Sequence, residues 1–259
     1  IIDFRDLAKK KRRVEVGLTS EYSVGGIFVD ENMFTGVPGL YAAGEAASGV
    51  FGANRVADAV TEMLVQGYKA GEVAAARASE QTRVASDDAA IERAVGVLEK
   101  LLSNQGGIAV SEAIDRLGEI SDNALGMVRN ETTLRAGVEA FETLGAEMDG
   151  ISLRGKSLRY NRELMQALAA RNLLACSRVA AKMALERRES RGLHLRDDYS
   201  YIDNENWQVR QLAELVNGED KLSKKVPVVT RIPLRKAEKI DYESFILEED
   251  LGMKNMEES

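Results

Sequence analysis

The sequence is short of several things, and each shortage excludes a class of protein. There is one cysteine, Cys176, so no internal disulfide can form. It falls within an apolar helical pattern, where a buried and unreactive thiol in a reducing compartment is expected. Aromatic residues are 5% of 259 while charged residues are 30%, a balance that favours long, partly exposed helices over a compact β structure. No apolar run approaches the ~20 residues that cross a bilayer, so no transmembrane segment is expected. Cations are outnumbered, 35 Lys and Arg against 42 Asp and Glu, and a net charge of -7 argues against a nucleic-acid face. Gly-x-Gly-x-x-Gly, the loop by which dinucleotide folds hold a pyrophosphate, is absent, as are internal repeats. The length still suffices for one or two domains with a core.

The stretch from Thr35 to Arg55 carries the most information. Val37-Pro38-Gly39 is turn chemistry, since Pro38 fixes φ and Gly39 tolerates positive φ. Leu40 to Ala43 is an unbroken apolar run that predicts a strand covered on both faces. Gly44 then allows close approach to the main chain, and the Glu45 carboxylate can accept hydrogen bonds from ligand hydroxyls. Small residues follow (Ala46, Ala47, Ser48, Gly49, Gly52, Ala53), leaving little bulk over the backbone. From Val56 to about Ala74 the apolar period becomes helical, so a helix N-terminus would face whatever the loop holds.

Upstream, Lys9 to Arg13 is a run of five cations that reads as a solvated loop. Val14-Glu15-Val16 and Ile27-Phe28-Val29 predict short strands, with a turn at Asp30-Glu31-Asn32. Downstream, a domain boundary is placed near 82. Helices are expected over about 87 to 104, with an N-cap within Ser86-Asp87-Asp88, and over 111 to 129, 131 to 148 and 157 to 188. Leu158, Leu164, Met165, Leu168, Leu173, Val179 and Met183 would form the apolar side of the last. Short connections make these four an antiparallel bundle. After Arg191 periodicity is lost. Gly192 would cap the long helix, Trp207 offers an anchor, Val226 to Val229 would be an edge strand, and the acidic last twenty residues would be partly disordered or docked on a partner.

Three groups of residues resemble one family. Glu21 to Ile27, Pro38 to Glu45 with Gly52-Ala53-Asn54-Arg55, and Glu189 to Tyr199 with Asp203 to Trp207 are similar to segments of the succinate dehydrogenase/fumarate reductase flavoproteins, L-aspartate oxidase-like relatives included. The resemblance implies an α+β, mostly α fold. Residues 1 to 82 would be the C-terminal segment of an FAD-binding dinucleotide fold, 83 to 190 a helical bundle and 191 to 259 an extended tail. It implies that the chain is the C-terminal part of a longer protein, partnered by an N-terminal FAD-binding portion that carries the first flavin motif. FAD is the implied cofactor, with Gly44 and Glu45 on the ribityl side and the backbone of Ala59 and Val60 against the flavin ring. Arg55 would bind a carboxylate-bearing substrate, since a guanidinium grips a carboxylate bidentately and stays charged. His194, the single histidine, falls in the C-terminal signature, where a buried histidine held by Glu189, Arg191, Arg196, Asp197 and Asp198 is expected rather than a catalytic one. Asn54 reads as a loop-stabilising amide.

Two departures bear on the substrate. Glu21 stands where the family has a substrate-binding histidine, and Val56-Ala57-Asp58-Ala59-Val60 replaces the glycine-rich run after Asn-Arg. Extra carboxylates repel a dicarboxylate, so either the substrate differs from fumarate and succinate or the flavin serves electron transfer alone. The activity implied is hydride transfer between flavin and a carboxylate-bearing substrate. The alternative is a helical docking module for an iron–sulfur subunit, with a cytoplasmic location or one peripheral to the inner face of a membrane through such a partner.

Overall fold

A computed structural model describes residues 22–48, 59–81 and 86–226. The chain divides into Ile1–Lys225 and Val226–Ser259, and of the second unit only Val226 is described. Arg55, Asn54, Glu21, Asp58, the cationic run, the Val14 segment, Pro227 to Val229 and the acidic last twenty residues lie outside the described residues.

The first part is an irregular layer of turns. Asp30 organises one of them, its Oδ1 accepting from Asn32 N at 2.8 Å and Phe34 N at 3.0 Å. The Pro38-Gly39 turn forms as the sequence predicts, with Leu40 N donating to Val37 O at 3.0 Å and Gly39 at φ 82. The strands expected at Ile27 to Val29 and Leu40 to Ala43 do not form. The described residues hold only isolated bridges there, Ile27 to Ala47 and Phe34 to Tyr41. Leu40 is 48% exposed, so the apolar run is not covered on both faces. An extended segment becomes a strand only against a neighbouring ladder, and these turns supply none.

Helix α1 (Ala59–Glu80) follows, then α2 (Asp88–Ser103), α3 (Val110–Leu125), β1 (Val128–Arg129), α4 (Glu131–Met148) and α5 (Arg162–Glu186). The caps explain the boundaries. The Asp87 side chain accepts from Ala90 N at 3.1 Å. Asn130 makes a capping box with Thr133, and Asn161 Oδ1 accepts from Leu164 N at 3.0 Å. The third helix ends at Leu125 rather than 129 because Gly126 leaves helical geometry at ψ -175. Val128 and Arg129 instead pair in parallel with β2 (Leu195–Arg196).

The core is built by α3, α4 and α5, around Leu117, Phe141, Leu144, Met148, Leu164, Ala167 and Ala181. Helix α2 joins it through its C-terminal end alone, where Leu101 is buried and Leu98 and Leu102 are partly so. The inward face of α5 is Leu164, Ala167, Ala170, Ser177, Ala181 and Ala184. Of the expected apolar side, Leu164 is buried and Leu168 packs against the core, but Met165 and Leu173 are each more than half exposed, and so is Leu158, which precedes the helix because it starts at Arg162 rather than 157. Small residues won the inner positions because they let helices approach closely. Gly137 of α4 shows the same constraint, as a Cβ there would stand 2.2 Å from Ala124 Cβ of α3. Cys176 is exposed, contrary to the expectation of a buried thiol, because Ser177 takes the inward position beside it.

Gly192 does not cap the long helix. Helix α5 ends at Glu186, and Gly192, at φ 55, sits in a tight turn closed by Arg191 and His194. Beyond it lie a short α6 (Asn204–Trp207) and an antiparallel hairpin, β3 (Arg210–Val216) and β4 (Glu219–Lys225). The hairpin was missed because its exposed strands lack an apolar face. Its signal is the Asn217-Gly218 pair, both at positive φ (52 and 85), the preferred two-residue hairpin turn. Asp220 fastens the hairpin to α5, accepting from Arg178 Nη2 and Lys182 Nζ at 3.1 Å each. Trp207 is buried as an anchor, with Lys224 Nζ 3.5 Å and Arg187 Cζ 5.1 Å from its ring centre.

A candidate flavin-contacting turn

Gly44, Glu45 and Ala46 form a single 3-10 turn lying against α1. Gly44 is buried at φ 68, and a Cβ on it would come within 3.0 Å of Met63 Cγ of α1, so both conformation and space favour glycine. Gly26 is equally constrained, since a Cβ there would lie 2.6 Å from Ala46 O.

A chain of buried polar groups sets this turn. Gly44 N donates to Gln66 Oε1 at 2.7 Å, Gln66 Nε2 donates to Glu62 Oε1 at 3.1 Å, and Tyr22 Oη donates to Glu62 Oε2 at 3.0 Å. Glu62 and Gln66 are 4% and 5% exposed, one turn apart on the buried side of α1. Sequence reasoning missed Tyr22, Glu62 and Gln66. The sequence carries no signal for them, because the large apolar residues of α1, Val60, Met63 and Leu64, are exposed and the polar pair is buried instead.

Glu45 is exposed, and its Oε1 accepts from Ser23 N at 2.7 Å. Gly44 and Glu45 are thus held together at the foot of α1, whose first described turn contains half-buried Ala59 and exposed Val60. Ser48 follows directly, and its hydroxyl is enclosed without a hydrogen-bond partner among the described residues. A carboxylate and glycines that leave the main chain bare can meet the hydroxyl groups of a ligand. The described residues contain no group of three or more metal-ligating side chains.

A second polar cluster joins the ends of the helices. Glu189, fully buried, accepts from Arg191 Nε at 2.8 Å, Arg191 Nη2 at 3.0 Å and Asp203 N at 2.8 Å. Burial alone would raise its pKa, but these donors and Arg187 outweigh it and hold the carboxyl below its usual range. Arg196, also fully buried, donates to Asp198 through Nε at 2.7 Å and Nη2 at 2.6 Å. His194 faces Arg129, with Nδ1 3.2 Å from Arg129 Nη1, and its Nε2 lies 3.4 Å from Arg187 O. Burial first, then the charge of Arg129, pushes its pKa down to about 4, so it is neutral at pH 7. Its ring is held by cations and a carbonyl, while Asp197 and Asp198 pair elsewhere, with Asn130 and Arg196. The cluster splices helix ends, and the ring's partners are Arg129 and the Arg187 carbonyl rather than the side chains of Glu189, Arg191, Arg196, Asp197 and Asp198 that the sequence suggested.

The mostly helical fold, with this glycine-containing turn ahead of it, points to the flavoprotein class. A family model described as an FAD binding domain matches residues 2–58, and one described as the fumarate reductase flavoprotein C-term matches residues 114–242. Among curated proteins, the fumarate reductase flavoprotein subunit of Haemophilus influenzae is 34% identical over 196 residues, 74% of this chain and 33% of that protein. The 8-methylmenaquinol:fumarate reductase flavoprotein subunit of Wolinella succinogenes is 30% identical over 240 residues, 89% of this chain and 39% of its own length. Among solved structures, an Escherichia coli quinol fumarate reductase variant superposes with a TM-score of 0.76 at 28% identity, covering 84% of this chain and 38% of that one. The chain belongs to the fumarate reductase/succinate dehydrogenase flavoprotein family, and it spans about a third of the length of the curated relatives it matches. The cofactor of this family model is FAD. No described helix is long and apolar enough to cross a membrane.

Proposed function

We propose that this chain supplies the C-terminal part of an FAD-dependent oxidoreductase that exchanges a hydride between its flavin and a carboxylate-bearing substrate. The observation that carries the reading is the Gly44-Glu45 turn, pinned to α1 by Gln66 and followed by the enclosed Ser48 hydroxyl, which has no hydrogen-bond partner among the described residues. Glu45 would accept hydrogen bonds from the ribityl chain, Gly44 would let the cofactor lie against the main chain, and the backbone of Ala59 and Val60 would meet the ring. The flavin supplies the hydride chemistry; the residues of this chain bind and orient. Arg55 would hold a substrate carboxylate, and its fixed positive charge suits an anion at any ordinary pH. The domain division at about 82 and 190 is part of the same proposal.

The Glu21 and Asp58 carboxylates narrow the substrate to one that tolerates negative neighbours, or leave the flavin passing electrons to a partner. Solved neighbours are described as a Mycobacterium smegmatis Sdh1 complex and a quinol-fumarate reductase with menaquinol molecules, which favours a second role for the helical region in docking an electron-transfer subunit, an iron–sulfur one included. A peripheral place on a membrane would come through that subunit. The test is the flavin absorbance of the full-length protein, followed by reoxidation of its reduced flavin with a panel of acceptors that includes fumarate. Bound FAD with fumarate-dependent reoxidation supports hydride transfer to a dicarboxylate. Bound FAD that ignores fumarate moves the acceptor elsewhere, and a full-length protein that binds no FAD overturns the reading.

A further inference from the structure

The segment from Arg154 to Arg162 takes no part in the flavin reading. In a chain of net charge -7 it places Arg154, Lys156, Arg159 and Arg162 within nine residues, all of them exposed. The acid that follows, Glu163, is turned back onto the loop, accepting from Arg154 N at 2.8 Å and Gly155 N at 3.3 Å. Large apolar groups stand among the cations. Leu158 is 66% exposed, Tyr160 is fully exposed, and Met165 on the first turn of α5 is 65% exposed.

The loop is nonetheless fixed. Asn161 Nδ2 donates to Gly155 O and Ser157 O at 2.9 Å each, Arg159 N donates to Ser157 Oγ at 3.0 Å, and Lys156 Nζ donates to Asn104 O at 2.9 Å. Tyr160 sits at φ 54, a conformation costly for a bulky residue. Its ring reaches no covering surface that would offset that cost.

We propose that this loop and the first turn of α5 form a docking surface for an acidic segment of a partner protein that also carries apolar side chains. Charge complementarity selects the acid. Leu158, Tyr160 and Met165 supply the desolvated centre, and Arg159 and Arg162 supply the rim and bidentate partners for carboxylates, Arg154 being paired with Glu163 at 3.4 Å. Because the backbone is already set, little ordering entropy opposes binding. An anionic bilayer would attract the same cations, yet it gains nothing from a preset backbone.

Two variants of the full chain test this. Tyr160→Gly removes the ring and relieves the backbone, so the fold is preserved, and Arg159→Glu reverses a charge whose side chain makes no hydrogen bond or ion pair among the described residues. Thermal unfolding confirms that both are folded. The probes are a fluorescent peptide alternating glutamate and leucine, a peptide of glutamate alone, and vesicles of phosphatidylcholine with phosphatidylglycerol. The expected result is binding of the glutamate-leucine peptide, weaker binding of polyglutamate, and a loss of about tenfold or more in each variant. Equal binding of the two peptides, unchanged affinity in Tyr160→Gly, no peptide binding, or vesicle binding in place of peptide binding would each overturn it.

Discussion

The guanidinium of Arg196 and the carboxylate of Asp198 form a bidentate pair that ties the end of one core helix to the start of another. Arg196 Nη1 donates at 3.1 Å to the carbonyls of Ala184, Leu185 and Arg187 at the end of α5, where the helix itself supplies no donor. Asp198 Oδ2 accepts from Glu131 N at 2.7 Å, at the first residue of α4. The cation thus sits at a helix C-terminus and the anion at a helix N-terminus, each complementing the local dipole.

Breaking that pair leaves a buried charge alone. Asp198→Asn is expected to lower unfolding free energy by about 3 kcal/mol and Arg196→Met by at least as much, since three carbonyls lose their donor as well. Denaturant unfolding measures both. A change below about 0.5 kcal/mol in either would contradict the role assigned to the pair.

His194 makes stability depend on mild acid. Its folded pKa of about 4 lies below the usual 6.5, so the unfolded chain binds more protons between those values. Stability is therefore greatest above pH 6.5 and falls as pH drops towards 4, by about 1 to 2 kcal/mol for a half-buried ring that solvent partly screens. Asp198 and Glu189, held below their ordinary values of 3.8 and 4.5, add a further loss that begins near about pH 5 and grows below it. His194→Gln should flatten the slope between pH 6.5 and 4 in thermal unfolding. An unchanged slope would assign it to other groups.

Gln66 should matter more to the Gly44-Glu45 turn than its distance in sequence suggests. Gln66→Leu removes the acceptor of a buried N–H and leaves Glu62 short of a donor, a loss of about 1 to 3 kcal/mol. In the full-length protein the expected accompaniment is weaker FAD retention on gel filtration. Full retention with lowered stability would confine Gln66 to a purely structural role.

Contact between α3 and α4 is set by the pair Gly137 and Ala124. Gly137→Ala is expected to destabilise by about 1 to 3 kcal/mol, despite its better helix propensity, because the new methyl has no room. Ala124→Gly in the same chain should recover part of the loss. A stabilised single variant would show that the helices can separate freely.

The helices starting at 88 and 131 were legible, the first from its capping Asp87 and the second with the expected bounds of 131 to 148, whereas the long helix expected from 157 starts at Arg162, where the Asn161 side chain caps it. The face of α5 was legible only at Leu164, since pattern reading follows large apolar residues and the other buried positions belong to alanine and serine. Leu40 to Ala43 misled in the opposite direction, since apolar residues without a ladder stay in turns. At the candidate site, Gly44 and Glu45 could be picked out by their neighbours in sequence. Gln66 could not, because its partner lies 22 residues away and only folding brings them together.

The small residues along the inward side of α5 make its tolerance to change one-sided. Ala167 and Ala181 are fully buried, and each can shed its methyl but cannot gain one without moving a neighbouring helix. Mutational drift there has a floor and no ceiling to climb to, whereas the outward positions of Met165 and Leu173 are open in both directions. A saturation library of α5 would therefore sort by side-chain volume on one face and by almost nothing on the other.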